Sequence, residues 1–298
     1  LLVLASMLLV KRRLGGHGTS GIIEAIWVHQ GRLQLGRALL RGVLAIVAVG
    51  MGASLGREGA LLQTGAATGS WLADRFGVPP RQARLLVACG AASGLAAAYN
   101  VPIGGALFGL EVLLGSFALE LFGPVVVSCV TATLVARIVA GPLPSYAVPA
   151  YELMRVREVL AALAIAPLLG LASAVFVKVM GWVEVQLYRV KPGPARLLPP
   201  LAMTLLGLAA IRFPDLLGNG YDTVQATLLG DLPLALLVAL PRLKLAASAL
   251  CAGAGVPGGL FTPSLFYGAL IGGSLGHLVK YLVPSVAAPA GAFALVGM

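Results

Sequence analysis

The residue with the sharpest chemical profile is Glu58. It stands in the glycine-framed run Gly56-Arg57-Glu58-Gly59 and opens a stretch, residues 59–73, that holds no other charge. The first turn of a helix presents unpaired N–H groups and about half a positive charge, which makes it a ready anion site. Comparable glycine-rich turns occur at Gly16-His17-Gly18, at Gly218-Asn219-Gly220 and at Gly258-Gly259. Several helix starts converging on one point would hold an anion by backbone dipoles alone. A buried lysine would bind it too tightly for quick release. In the segments opened by Gly56 and Gly259 the basic residues keep to the ends, Arg57 in the loop and Lys280 near the far terminus. Two roles are open to Glu58. It complements the dipole of its own helix at an interface, or it competes with an anion for the same N–H groups, so that protonation or displacement opens a path. Two are likewise open to His17: a structural hydrogen-bonder, or a ring N–H facing the anion that titrates near neutral pH. His29 and His277 receive no role.

The elements that must position these residues are apolar and lie in lipid. Of 298 residues, 59% are hydrophobic and 11% charged, with a mean hydropathy of +0.95. A soluble domain carries about 25% charged residues, so this composition excludes a soluble enzyme, a disulfide scaffold and a disordered tail, and predicts a polytopic membrane protein. The net charge of +10 does not indicate nucleic acid. Its basic residues cluster between apolar runs, at Lys11-Arg12-Arg13, Arg32 to Arg41, Arg75 to Arg84 and Arg189 to Arg196, as interfacial anchors do. Aromatic residues, at 6%, are too few and scattered for base stacking. Cys89, Cys129 and Cys251 have no ligand spacing and read as packing residues. There is no signal-peptide pattern, and both ends read as cut, as in a fragment of a longer chain.

Apolar segments are predicted at about 1–10, 38–55, 58–73, 84–98, 101–118, 122–140, 158–183, 197–211, 224–240, 245–252, 260–282 and 285–298. Many are short and glycine-punctuated. Helices that start or stop inside a bilayer need a protein-lined or watery cavity, and such segments at matching places in two halves point to a transport site. Matching halves are present. Residues 56–69 align without a gap on 259–272, pairing Gly56 with Gly259, Leu62 with Leu265, Gly65 with Gly268, Ala66 with Ala269 and Gly69 with Gly272. Gly16-His17-Gly18 lies 40 residues before Gly56, and Gly218-Asn219-Gly220 lies 41 before Gly259. The halves are expected at residues 1–145 and 146–298, divided in the proline-rich stretch near 141–153. The sequence leaves their relative orientation, parallel or inverted, open.

These runs resemble the CLC family of chloride channels and chloride/proton exchangers. Gly56-Arg57-Glu58-Gly59-Ala60 looks like the family's GREGP loop, Gly258-Gly259-Leu260-Phe261-Thr262-Pro263 like its GxFxP loop, and Gly16-His17-Gly18 like its GSGIP loop. The run from Asn100 to Glu111 resembles the family segment after the glutamate loop. The resemblance, to a truncated bacterial-type member with no CBS domains in this chain, implies an all-α polytopic membrane fold. Its two inverted-topology halves are built of short, broken and tilted helices, and each subunit of a homodimer holds its own pore in the inner or plasma membrane. It makes Glu58 the gating glutamate. Gly59, Leu260 and Phe261 would bind chloride through backbone N–H groups, and His17 would stand where many members have a serine. The loops around these sites include Gly16, Gly18, Gly56, Arg57, Gly259 and Pro263. Chloride and similar small anions are the implied substrates, with membrane lipid around the protein and no cofactor. Ala60 replaces a proline of little consequence, whereas Thr19-Ser20-Gly21 replaces the usual apolar-Pro-Glu run and alters that part of the site. The family's inner tyrosine is expected in a helix beyond residue 298.

Exchangers like the bacterial prototypes carry a proton-feeding glutamate directly after the position matched by Glu111. Here it is Val112, which cannot relay a proton, so a passive channel gated by Glu58 is expected. An exchanger using water or Glu111 is the alternative, and a non-transporting truncated membrane subunit the second. No nucleophile–base pair or metal cluster is apparent in the sequence.

Overall fold

The computed structural model describes residues 18–149, 151, 156–189, 197–284 and 288–298. These form twelve α-helices. The first six are α1 (Thr19–Trp27), α2 (Leu35–Gly50), α3 (Glu58–Phe76), α4 (Pro80–Tyr99), α5 (Pro102–Phe108) and α6 (Leu119–Ala140). The next six are α7 (Val156–Arg189), α8 (Leu198–Arg212), α9 (Tyr221–Leu229), α10 (Leu234–Gly253), α11 (Phe261–Leu282) and α12 (Ala290–Gly297). A π turn, Gly109–Leu113, extends α5, and a 3₁₀ turn, Pro214–Leu216, follows α8. Prolines set the helix starts. Pro80, Pro102 and Pro199 lie in first turns, where a missing N–H costs nothing, and Pro233 and Pro289 directly precede α10 and α12.

Among the described residues, three helices are long and apolar enough to cross a bilayer: Leu119–Ala140, Val156–Gln186 and Leu234–Gly253. The last corrects the expected break between 240 and 245. Arg242 and Lys244 interrupt the hydropathy there but not the helix, because Arg242 is exposed while Lys244 turns inward and finds acceptors. The expected segment 224–240 is in turn two helices, α9 and α10, separated around Gly230-Asp231. The segment at 1–10 lies outside the described residues.

The same packing order occurs twice. Helix α3 packs on α2, α4 and α1, and α11 packs on α10, α12 and α9. The glycines paired by the sequence alignment do the same work in each set. A side chain at Gly65 would strike the Gly90 carbonyl and one at Gly69 the Leu86 carbonyl, both on α4; at Gly268 and Gly272 it would strike the Gly297 and Phe293 carbonyls on α12. Small residues that bring backbones together are how helices associate where lipid is as apolar as the side chains. The buried side chains fall into two main clusters. One joins α1, α3, α4, the α5–π segment and α6, and the other joins α8 to α12 with Ala53 and Leu55 from the α2–α3 loop. Tyr146, in the segment between α6 and α7, touches both.

Candidate anion site at two paired helix starts

The loops that begin α3 and α11 meet. Gly56 and Gly259 form an antiparallel bridge, each N–H donating to the other's carbonyl at 2.7 Å. A pair that exchanges both bonds has a local two-fold axis between its members, so the two loops run in opposite directions and their helices lead away from a shared point. Close approach leaves no room for a side chain at Gly258 or Gly259. A Cβ on Gly259 would lie 2.8 Å from the Gly59 nitrogen, and one on Gly258 would lie 2.6 Å from Leu55. The N–H groups of Gly59, Leu260 and Phe261 sit in first turns or caps and have no acceptor among the described residues. Two helix N-termini therefore present their partial positive charges at one place.

Glu58, the first residue of α3, is fully buried. Its Oε1 accepts a hydrogen bond from the Tyr221 hydroxyl at 2.9 Å and a longer one from Asn219 Nδ2 at 3.4 Å. Its Oε2 has no partner among the described residues and lies over Gly56, in the space a Cβ there would take. Arg57, next in the chain, is exposed and places its guanidinium 5.7 Å from the centre of the Tyr221 ring. A buried carboxylate held by neutral donors, with one oxygen unpartnered, is expensive. The two helix starts and the two donors offset part of that cost.

Tyr221 belongs to a cluster of aromatic rings beside this carboxylate. Tyr99 closes α4, donates to or accepts from Thr262 Oγ1 at 2.9 Å, and packs against Phe261 at 5.6 Å. Phe108 lies 6.3 Å from Phe261, and Tyr146 lies 5.1 Å from Tyr221. The Tyr146 hydroxyl is buried without a partner among the described residues. Elsewhere, a cavity of about 770 Å³ is lined by Arg32, Arg37, Arg41 and Gln63 among others. Arg41 and Gln63 also line a smaller void that reaches Gly18, Gly59 and Gly258. Glu24 and Asp74 line the larger cavity as well, so its wall carries both signs of charge, and the smaller void adjoins the start of α3.

Of the residues expected from sequence, Gly56, Arg57, Glu58, Gly59, Gly259, Leu260 and Phe261 come together here. Pro263 is the buried third residue of α11, and Gly18 precedes α1 and accepts a hydrogen bond from Gln63 Nε2 at 3.5 Å. Gly16 and His17 lie outside the described residues. Glu111 and Val112 sit in the π turn, both exposed among the described residues.

The voltage gated chloride channel family profile matches residues 1–298. The chain belongs to the CLC family. A ClcB-like chloride channel protein of Ralstonia nicotianae is 35% identical over 94% of this chain and 66% of its own length. The voltage-gated ClC-type chloride channel ClcB of Citrobacter koseri is 32% identical over 95% of this chain and 67% of its own length. The chain thus spans about two thirds of these CLC relatives. Among solved structures, a slow cyanobacterial Cl⁻/H⁺ antiporter matches with a TM-score of 0.88 at 23% identity, over 100% of this chain and 71% of that one. A CLC-type fluoride/proton antiporter matches with a TM-score of 0.77 at 22% identity, over 94% and 69%. These neighbours show a CLC fold, all-α and integral to the membrane.

Sequence reasoning missed five residues at or behind this candidate site: Tyr99, Tyr146, Asn219, Tyr221 and Lys244. Asn219 and Tyr221 had a signal, since a glycine-framed asparagine followed by an aromatic repeats the frame of the other loops. Lys244 falls in the expected break between 240 and 245, where the structure has one continuous helix instead. It is completely buried behind the Asn219 loop.

Proposed function

We propose that this chain forms the anion pathway of a chloride channel, with Glu58 as its gate. The observation that carries the reading is the Glu58 carboxylate itself, buried at two paired helix starts and held, among the described residues, by Tyr221 and Asn219. Chloride is the substrate and takes the N–H groups of Gly59, Leu260 and Phe261 when the carboxylate leaves. His17 and the Gly16–Gly18 turn contribute to the same path. Residues 1–145 and 146–298 act as two inverted halves, and the recurring helix packing and the Gly56–Gly259 bridge support that division. The protein works as a homodimer in lipid, without a cofactor. Val112 favours passive flow, because valine carries no proton. The second reading is an antiporter, favoured by the two solved neighbours, a Cl⁻/H⁺ antiporter and a fluoride/proton antiporter.

The test is chloride efflux from liposomes holding the full-length protein, with a simultaneous pH trace. A channel moves chloride while the external pH stays flat, and efflux rises as pH falls because a protonated Glu58 no longer competes for N–H donors. Glu58→Gln removes a charged partner worth about 1.5–3 kcal/mol to its hydrogen bonds, so efflux at neutral pH should rise roughly tenfold and lose its pH dependence. Uphill proton movement driven by chloride, abolished by Glu58→Gln, establishes the antiporter instead. No movement of either ion in folded, inserted protein rejects both.

A further inference from the structure

We infer that Lys244 is a positioning residue that fixes how firmly Glu58 is seated. This rests on the reading of Glu58 as a gate. Lys244 lies mid-way along α10 and is 0% exposed. Its ammonium donates to the Leu216 carbonyl at 3.0 Å and the Gly218 carbonyl at 2.8 Å, and stands 5.0 Å from the centre of the Phe266 ring. No carboxylate forms an ion pair with it among the described residues. Asp215 and Cys251 are the titratable groups within electrostatic range, and Asp215 already accepts from Thr223 Oγ1 at 2.9 Å.

An ammonium buried in a membrane-spanning helix is retained at a cost, and the backbone it grips shows its purpose. The chain leaves the 3₁₀ turn at Leu216, reverses through Gly218 at φ 61° and Gly220 at φ 79°, and enters α9 at Tyr221. Left-handed residues bracketing one asparagine make a turn with few internal bonds to hold it. Its support comes from outside. Lys244 holds the two carbonyls from behind, and the Gly218 N–H donates to the Gly52 carbonyl at 3.1 Å. The front of the same turn carries Asn219 and Tyr221, the two donors to Glu58 Oε1. A cation on one side of a five-residue turn therefore sets the geometry of the hydrogen bonds on the other. Phe266 closes the arrangement, since it lies under the ammonium and against Gly220.

The experiment uses the full-length protein in liposomes and reads the ratio of chloride efflux at about pH 7.5 to that at about pH 4.5, on either side of a carboxylate's usual titration range. The ratio is taken within one preparation, so the amount of folded protein cancels. Lys244→Gln, a shorter neutral donor, should raise the ratio about fivefold, and Tyr221→Phe should raise it similarly. Their combination should give no more than either alone, because both act through one set of bonds. Lys244→Arg, which keeps the charge and several donors, should return the ratio close to wild type. An unchanged ratio in Lys244→Gln, or effects that multiply in the double variant, overturns the proposal. If Lys244→Gln does not reach the membrane, Phe266→Leu replaces it, and must shift the ratio about twofold in the same direction, since it loosens the ammonium and the Gly220 turn without orphaning a carbonyl. No shift there also overturns it. Glu58→Gln is measured in parallel: if its ratio equals wild type, the gate reading itself has failed, which is a different result from a silent Lys244.

Discussion

Gly56→Ala should unseat Glu58 and raise chloride efflux at neutral pH about tenfold, close to the level of Glu58→Gln. A Cβ at position 56 would coincide with Glu58 Oε2 and approach Thr262 Oγ1 to 3.0 Å. Gly56 has no left-handed φ, so alanine is compatible with its backbone. Its two bonds to Gly259 use only main-chain atoms and survive the change. The atom in the way is the far end of a flexible side chain, so the carboxylate moves and the backbone stays. Glu58 then loses the Tyr221 hydroxyl, a bond to a charged group worth about 1.5–3 kcal/mol, which corresponds to roughly ten- to hundredfold in the seated population. The variant keeps its carboxylate, so it separates the position of the charge from its presence. Adding Gly56→Ala to Glu58→Gln should change nothing further. Wild-type efflux from Gly56→Ala would place the carboxylate elsewhere.

Gly65→Val should cost the largest amount of stability, about 3 kcal/mol or more, seen as a lower melting temperature and loss of monodisperse protein in detergent. Its side chain would enter the Gly90 carbonyl, and a side chain at Gly90 would enter the Gly65 carbonyl in return. The same face carries Gly69 against Leu86 and Gly94 against Leu61. Overpacking against side chains typically costs about 1–3 kcal/mol because they can turn aside. Main chain cannot, so α3 and α4 must part along their seam. Gly207→Ala on α8 is the control, because a Cβ there meets nothing within 4 Å. It should leave stability unchanged or improve it by up to about 1 kcal/mol, through the lower entropy of the unfolded chain. Equal melting of Gly65→Val and wild type would contradict the close seam.

The membrane fold and the two glycine-framed loops were legible because both are written in local pattern. Composition excluded water as the main solvent, and the glycine frames at 56–59 and 258–259 announced helix starts. The alignment of Gly56 with Gly259 was visible as spacing, although its meaning, two loops hydrogen-bonded to each other, belongs to distant chain segments. What was not legible was the partner set of Glu58. Tyr221 is 163 positions away from it, and Tyr99 and Tyr146 pack on Tyr221 from two further elements. Lys244 misled in a specific way. A cation in an apolar run lowers hydropathy whether it faces lipid or a carbonyl, so it was read as the end of a segment, whereas Leu216 and Gly218 make it part of one.

The Gly56–Gly259 bridge relates two loops that are alike in backbone and unlike in charge. Two residues after each bridge partner stand Glu58 on one side and Phe261 on the other. A membrane voltage acts on the first and has nothing to grip on the second. Moving one elementary charge across the whole field is worth about 2.3 kcal/mol per 100 mV, and even a short excursion of the carboxylate takes a share of that. A voltage of one sign drives the carboxylate toward its seat and the opposite sign draws it away, so the current through a pathway with a nearly symmetric backbone is expected to rectify.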